Sequence, residues 1–544
     1  MTGRLSLGLP AGLLPERLLA RQIQETNNSD DCDKAIPCRP VAQARAGAER
    51  HGYRCSDLRF HRLDCQCLAQ FIQGDADLRL CGSGAVCPPL VEVAKVLGDR
   101  FTTNTSLRHQ HCGGEGFHAV EEPDAVCFAE TEAEVAAILE NANAHGVAVI
   151  PFGAGTSLEG HLSAVHGGVS LDVSRMNRIL AVHPDDLDVV IEPGVTRQAL
   201  DRHLKDLGLF FPVDPGAEAT IGGMAATRAS GTNAVRYGTI RENVLSLRVV
   251  LPDGRVIKTG SRARKSSTGY DLTKLFIGSE GTLGVITQLI IRVHGIPEET
   301  VAAVCGYPSL KAAVDTVTQI IQLGLPIARA ELMDEPAMRA CVDYFKLDYG
   351  IQPTLFFEFA GAPQAVAEQI ATVGAISAEM GGGEFRWAKD QESRAALWRA
   401  RHRMHNALLA SRPGAKVMPT DACVPISRLT ECVVETKADI EKAPFFVCLN
   451  GHAGDGNFHL GLVIDPDSQE EYEIASGISS RLAYRALAME GTCSGEHGIG
   501  LGKLRYMEAE HGPALDIMRA IKGLFDPNSI MNPGKLIPQS SGRG

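Results

Sequence analysis

The sequence contains no apolar stretch of the ~18 residues that a bilayer-spanning helix requires. Its most apolar segments, 285–291 and 445–449, are only strand-length and are bounded by polar residues. A peripheral membrane contact stays open; a spanning helix of that kind is excluded. Nor is there a block of Lys or Arg: 53 basic residues face 65 acidic ones, for a net charge of -12. A nucleic-acid partner is disfavoured, because phosphate affinity comes from clustered cations. Fifteen cysteines are present but never as a Cys-x-x-Cys knuckle, so a paired-thiolate metal site is not indicated. Their odd number and the lack of a convincing secretory signal favour reduced thiols in a cytosol-like compartment. Internal repeats and low-complexity tracts are also missing.

What is there is ordinary globular composition with an excess of glycine. Hydrophobic residues make up 44% and charged residues 22%. The chain's 544 residues suffice for two or three domains. Its 56 glycines exceed the usual share of ~7% and suggest many tight turns and close backbone approaches. Residues 1–87 differ from the rest. Segment 1–24 is Leu-rich and basic-leaning, with Arg4, Arg17 and Arg21 against Glu16, as in a transit peptide. Segment 27–84 is rich in Cys, Arg and Asp without a steady apolar period, and reads as poorly ordered. An over-extended start codon explains this extension equally well.

Periodicity begins near residue 88. Thr131 and Glu134 form a capping box ahead of Val135, Ile138, Leu139 and Ala142 at helical spacing. Gly146 ends that helix and a buried strand follows at 147–150. Short strands at 169–173 and 189–192 precede a helix capped by Thr196, with Leu200, Leu204 and Leu207 on one face. This alternation predicts a mixed domain over 88–297. A helix near 310–323, strands near 355–359 and 445–449 and a long helix near 471–489 predict a second α+β domain over 298–544, ending in a turn-rich tail from Gly523.

Three glycine clusters fall in the first of these domains. One is Pro151, Phe152, Gly153, Ala154, Gly155, Thr156, Ser157, Leu158, Glu159 and Gly160, directly after a predicted strand. Such a loop lets several backbone N–H groups converge on a diphosphate. It lacks the Lys of a Walker loop, and Leu158 stands where a dinucleotide fingerprint needs its third glycine. The second cluster includes Pro215, Gly216, Thr220, Gly222 and Gly223, then Gly231, Thr232, Asn233, Tyr237 and Gly238. The third includes Glu280, Gly284 and Ile286. In this order, with Glu192-Pro193-Gly194 between the first two, they resemble the FAD-binding domain of the vanillyl-alcohol oxidase and p-cresol methylhydroxylase (PCMH) superfamily. The resemblance implies a two-part PCMH-type FAD-binding domain. Loop 153–157 would wrap the FAD diphosphate, with 216–233 and Ile286 along the ribityl and adenine portions. His161 lies just past the place of a covalent tether, so noncovalent FAD is expected.

The second domain carries the chemistry. A strand ending at Asn450, a turn through Gly451, His452, Ala453, Gly454, Asp455, Gly456 and Asn457, and a strand from Phe458 form a hairpin. The turn lets His452 and His459 meet at its mouth, where two imidazoles are good ligands for a divalent metal. The pair Glu496-His497 in Gly-Glu-His-Gly at 495–498 supplies a third ligand; adjacent side chains diverge, so one can bind metal while the next faces substrate. Two histidines and one carboxylate leave coordination positions open. These segments resemble the C-terminal domain of the FAD-linked D-lactate dehydrogenase, glycolate oxidase and D-2-hydroxyglutarate dehydrogenase group, over roughly 88–538.

That resemblance implies a ferredoxin-like α+β substrate domain with an antiparallel sheet. It makes His452, His459 and Glu496 ligands of one divalent metal (Zn, Mn or Fe) and His497 the base that takes the substrate hydroxyl proton. Arg401, in a basic helix, would bind the substrate carboxylate through a guanidinium fork, and Asn532 in the tail would return to the flavin. The expected reaction is oxidation of a small D-2-hydroxy acid, D-lactate foremost. Pro419 stands where the hydroxyglutarate branch carries a lysine, although Lys416 could compensate; glycolate and D-2-hydroxyglutarate are the alternative substrates. Cytochrome c, a quinone or an electron-transfer flavoprotein would receive the electrons. The expected protein is a homodimer, cytoplasmic or peripheral to the inner membrane, and mitochondrial in a eukaryote. A non-redox alkyl-glycerone-phosphate synthase is the reading from another class.

Overall fold

Thr131 accepts a hydrogen bond from the Glu134 N–H while the Glu134 carboxylate reaches back to the Thr131 N–H, so the capping box starts the helix Glu132–His145. Gly146, at φ 66°, closes it. The computed structural model describes residues 94–118 and 120–538, and the readings made for 1–87 lie outside the described residues. Residues from Val86 onward belong to one compact unit, which holds all the described elements.

Four strands form the first sheet: β1 (Phe101–Thr102), β2 (Ala125–Phe128), β3 (Val149–Phe152) and β4 (Val169–Asp172). Their order is β1-β2-β4-β3, with β2 and β3 both parallel to β4. Strand β3 starts two residues later than its apolar run suggested, which carries the strand up to the edge of the first glycine loop. Beside this sheet lies an antiparallel one of β5 (Ile179–His183), β6 (Asp188–Ile191), β8 (Val244–Val250), β9 (Val256–Lys258) and β10 (Val285–Arg292), in the order β5-β6-β10-β8-β9. Short strands β7 (Leu209–Phe210) and β11 (His294–Gly295) pair separately. Val250 and Val285 of the second sheet pack into the core of the first, which joins the two parts. The helix Arg197–Leu204 is capped by Thr196 and buries Leu200 and Leu204. Leu207 is exposed instead, because the chain tightens into a 3-10 turn at Lys205–Leu207 and rotates it off the buried face.

The remaining strands, β12 (Glu299–Gly306), β13 (Arg329–Met333), β14 (Thr354–Gly361), β15 (Arg386–Ala388), β16 (Lys416–Pro419), β17 (Ala422–Cys423), β18 (Phe446–Gly451) and β19 (Asn457–Ile464), form an antiparallel sheet. Its order is β15-β12-β14-β13-β18-β19-β16, with β17 also on β19. Alternation decides its two faces. Ala303, Leu332, Leu355 and Phe357 face the helices Leu310–Gln322, Pro363–Glu379, Leu429–Ile440 and Gln469–Ala488. Ala302, Val304, Met333 and Phe356 face the helices Glu335–Phe345, Gln391–His402 and Met404–Ser411. The C-terminal segment read as a turn-rich tail from Gly523 is helical through Phe525, over Ala514–Phe525. Only beyond it does the chain turn, crossing back so that Met531 bridges Val149 and Ile530 and Met531 enter the first core.

Candidate active site

The hairpin of β18 and β19 sets Asn450 opposite His459, with His452 in the connecting turn. The two imidazole centroids lie 5.4 Å apart, so the turn brings together residues seven apart in sequence. Glu496, on a loop between the helix Gln469–Ala488 and the 3-10 turn Leu504–Tyr506, completes the group. Its Oε1 is 3.2 Å from His452 Nε2 and 3.3 Å from His459 Nε2. One donor atom from each of the three residues lies within 4.8 Å of the other two.

The partners of the other ring nitrogens show what this cluster suits. His452 Nδ1 is 2.7 Å from Glu331 Oε1, and His459 Nδ1 is 2.9 Å from the Thr420 carbonyl. Both partners can only accept, so each Nδ1 carries the hydrogen and each Nε2 presents a lone pair to the Glu496 carboxylate. Three converging donor atoms need a proton or a cation among them. Burial pulls His452 down, but Glu331 and Glu496 on its two sides outweigh it and hold the imidazole well above its usual pKa. Glu496 is displaced the opposite way: its burial is overcome by the two histidines. The donor set, two imidazoles and one carboxylate with open space beyond, fits a catalytic divalent metal.

His497 points away from its neighbour Glu496 but stays beside the group. Its ring stacks on His459 at 5.0 Å with 4° between the planes. Its loop is anchored by Asp421, whose Oδ2 accepts the N–H groups of Glu496 (2.9 Å) and His497 (3.0 Å) and the Ser494 hydroxyl (2.9 Å). Lys503 lies 3.3 Å from the same oxygen and 3.4 Å from Glu159. His497 Nδ1 makes no hydrogen bond and stands 3.7 Å from Glu159. Burial lowers the His497 pKa, yet the nearby Asp421 and Glu159 carboxylates prevail and leave it raised.

On the flavin side, the first two glycine clusters meet: a Cβ on Gly153 would stand 2.5 Å from Thr220 Oγ1. Thr220 caps the helix Ile221–Thr227, whose first turn contains Gly222 and Gly223. Ser157 Oγ and His161 Nδ1 are buried without hydrogen-bond partners, orphaned polar atoms of the kind a bound polar cofactor satisfies. Pro151 lies in β3 at the loop's start, and Ala154, Gly155, Thr156 and Gly160 continue the loop. The remaining residues of the clusters also make contacts within the protein. Gly231 and Gly284 let backbone approach Asp214 and Val250, and Ile286 is a buried residue of β10. Thr232 donates to Asp214, whose other oxygen accepts from the Asn233 N–H. Tyr237 meets His294 edge-on at 4.8 Å, just before the turn at Gly238. Pro215 and Gly216 lie in the bend ahead of Thr220, and nothing stands within 4 Å of a Cβ placed on Gly216.

Glu280 ties the two halves. Its carboxylate accepts the N–H groups of Ile499 (2.7 Å) and Gly500 (2.9 Å) and lies 3.3 Å from His161 Nε2. Gly498, at φ 82°, sits where a Cβ would come within 2.7 Å of both Glu280 and His161, so only glycine lets this loop close on the flavin domain. Asn532 donates to the His161 and Glu280 carbonyls, fixing the returning tail beside them. Lys535, bonded to Asn532, is lowered by burial to about 8. A cleft of about 330 Å³, open to solvent, lies along Glu280, Gly495, Glu496, Gly498 and Ile499.

Arg401 lies at the end of the helix Gln391–His402, but its fork faces protein. Nε and Nη2 lie 2.8 and 2.7 Å from Glu331 Oε2, because that buried carboxylate needs a cation beside it. Sequence reasoning missed Glu331, Glu159 and Lys503 as parts of the site. Glu159 stood in the first glycine loop and Lys503 just past the Gly-Glu-His-Gly segment, both without an assigned role, as did Asp421; Glu331 carries no motif spacing at all.

Fold and cluster together define a flavin-linked oxidase: a glycine-looped cofactor domain closing on an antiparallel sheet that carries a His-His-Glu group and a further histidine. Residues 123–260 match the family described as FAD binding domain, and 296–536 match FAD linked oxidases, C-terminal domain. The chain belongs to the FAD-linked oxidase family. It is 48% identical to a probable mitochondrial D-lactate dehydrogenase of Danio rerio, over 81% of this chain and 90% of that one. To the mitochondrial D-lactate dehydrogenase [cytochrome] of Arabidopsis thaliana it is 45% identical, over 82% of this chain and 79% of that one. The structure of p-cresol methylhydroxylase with substrate bound has the same fold, with a TM-score of 0.71 at 16% identity over 84% of this chain and 97% of that one. Among the described residues no helix is long and apolar enough to cross a membrane.

Proposed function

We propose that this protein oxidises D-lactate to pyruvate with noncovalent FAD and one divalent metal ion (Zn, Mn or Fe), and passes the electrons to cytochrome c in the mitochondrion. The observation that carries the reading is the convergence of His452, His459 and Glu496 beside His497, on a loop tied by Glu280 to the flavin domain. The activities and locations named for the similar dehydrogenases support substrate, acceptor and compartment.

Oxidation at C2 removes a hydride from carbon and a proton from the hydroxyl. FAD supplies the hydride acceptor, and a divalent cation beside Glu496 would acidify the hydroxyl and draw His497 toward its neutral, proton-accepting form. His452, His459 and Glu496 hold that cation. His497 takes the hydroxyl proton on its imidazole, and Asp421 stabilises the imidazolium by fixing the loop and supplying a nearby negative charge. Glu331 occupies Nε and Nη2 of Arg401, leaving Nη1 for the substrate carboxylate. The loops around Gly153 and Thr220 hold the cofactor.

Stopped-flow flavin reduction across D-lactate, L-lactate, glycolate and D-2-hydroxyglutarate tests the assignment. D-lactate should bleach the flavin fastest, and no bleaching with D-lactate would refute it. His497→Ala should retain FAD yet lose flavin reduction, whereas unchanged reduction kinetics would remove that role. Elemental analysis should find about one divalent metal per chain; full activity in a metal-free preparation would exclude the metal.

A further inference from the structure

We infer that Glu331 is the positioning residue of this site, one carboxylate whose two oxygens separately fix the metal ligand His452 and the guanidinium of Arg401. The inference rests on the proposed metal site and adds what sets its affinity. Glu331 is fully buried in the middle of β13, where Ala330 and Leu332 enter the core on one face and Glu331 points out of the other. Oε1 is 2.7 Å from His452 Nδ1, while Oε2 takes Arg401 Nε at 2.8 Å and Nη2 at 2.7 Å.

The division between the two oxygens matters chemically. A neutral imidazole can offer its Nε2 lone pair only while its hydrogen is on Nδ1, and a carboxylate facing Nδ1 enforces that tautomer and raises ligand basicity. His459 has only the Thr420 carbonyl in the same place, so the stronger support falls on His452. Arg401 in turn compensates the buried carboxylate, so Glu331 supports His452 without leaving an unpaired charge. The same contact fixes the orientation of Arg401. One side chain therefore couples metal affinity to recognition of the substrate carboxylate.

A neutral side chain cannot serve both partners. In Glu331→Gln, an amide that keeps its oxygen on His452 must turn its NH2 toward the Arg401 N–H donors. An amide turned the other way confronts the His452 N–H with a donor. The test uses full-length, FAD-loaded protein and Zn2+ competed against a chelator, with FAD content and the steady-state constants for D-lactate measured alongside. The expected result for Glu331→Gln is metal affinity weaker by about 10–100-fold, a raised KM and unchanged FAD content. Glu331→Asp keeps the charge opposite Arg401 but shortens the reach to His452. It should lose metal affinity with less effect on KM, and it replaces the Gln variant if that does not accumulate as FAD-loaded protein. Wild-type protein that binds Zn2+ alongside a Glu331 variant of equal affinity would overturn the inference alone. Wild-type protein that takes up no divalent metal would overturn the metal site itself and this role with it.

Discussion

Replacing Asp421 by Asn should unfasten the loop that carries Glu496 and His497 while changing almost no volume. The Asp421 side chain is fully buried. Oδ2 takes the Glu496 and His497 N–H groups and the Ser494 hydroxyl, and Oδ1 takes Asn457 Nδ2 at 2.7 Å. An amide can present oxygen to only one of these sides. Turned to the loop, its NH2 faces the Asn457 NH2, and Asn457 cannot flip without losing its 2.9 Å bond to the Ala422 carbonyl. One buried donor is then unsatisfied, at about 1–3 kcal/mol, and Lys503 loses a neutralising partner. Breaking a buried pair in this way costs about 3–5 kcal/mol. Each kcal/mol moves the midpoint of a unit of about 150–250 residues by ~2–4 °C and of a larger one by less, so the thermal midpoint should fall by several degrees. The flavin-reduction rate should fall as well, with FAD still bound below the new midpoint. Burial raises the Asp421 pKa, but Lys503, His497 and His459 pull it well below the usual carboxylate range. A depressed folded pKa gives stability that is present above the unfolded value of about 4 and is lost as pH falls. The gap between the two proteins should therefore begin to shrink below about pH 4. A variant melting within 2 °C of wild type at neutral pH, with unaltered flavin reduction, would refute this account.

Two further outcomes concern the flavin domain. In Gly222→Ala the new Cβ would stand 2.4 Å from Pro193 Cβ and 2.8 Å from its carbonyl oxygen. Overpacking of about 1–3 kcal/mol should open the helix start beside Gly153, which a lower flavin-to-protein absorbance ratio would register. His294 is lowered to about 4, by burial first and then by Arg292, Arg264 and Arg236. It stays neutral in the fold while the unfolded chain gains the proton, so it costs stability as pH falls from about 6.5 to about 4. His294→Asn should flatten that part of the acid profile in denaturant melts; identical slopes for the two proteins would contradict the assignment.

Local chemistry was legible in the sequence wherever a few neighbouring residues decide it. The Thr131 and Glu134 box, the Gly146 stop and the hairpin that joins His452 to His459 need only short-range hydrogen bonds and turn preferences. Strand ends were less legible, as β3 shows, since pairing with β4 rather than apolarity sets where a strand stops. The long helix Ala514–Phe525 was hidden by its Gly523 and by the turn residues that follow it.

The sequence by itself determined the parts: three glycine loops suited to a flavin, a hairpin with two imidazoles, and the adjacent pair Glu496 and His497. Only the tertiary structure decided how charge is distributed among them. It brought Glu331 from β13 to His452 and Arg401, Asp421 to the backbone of the Glu496 loop, and Glu280 from the flavin domain to Ile499 and Gly500. The physical reason is burial. A carboxylate removed from water must find its cation or N–H donors wherever the fold places them, and those partners lie from 70 to more than 200 residues away.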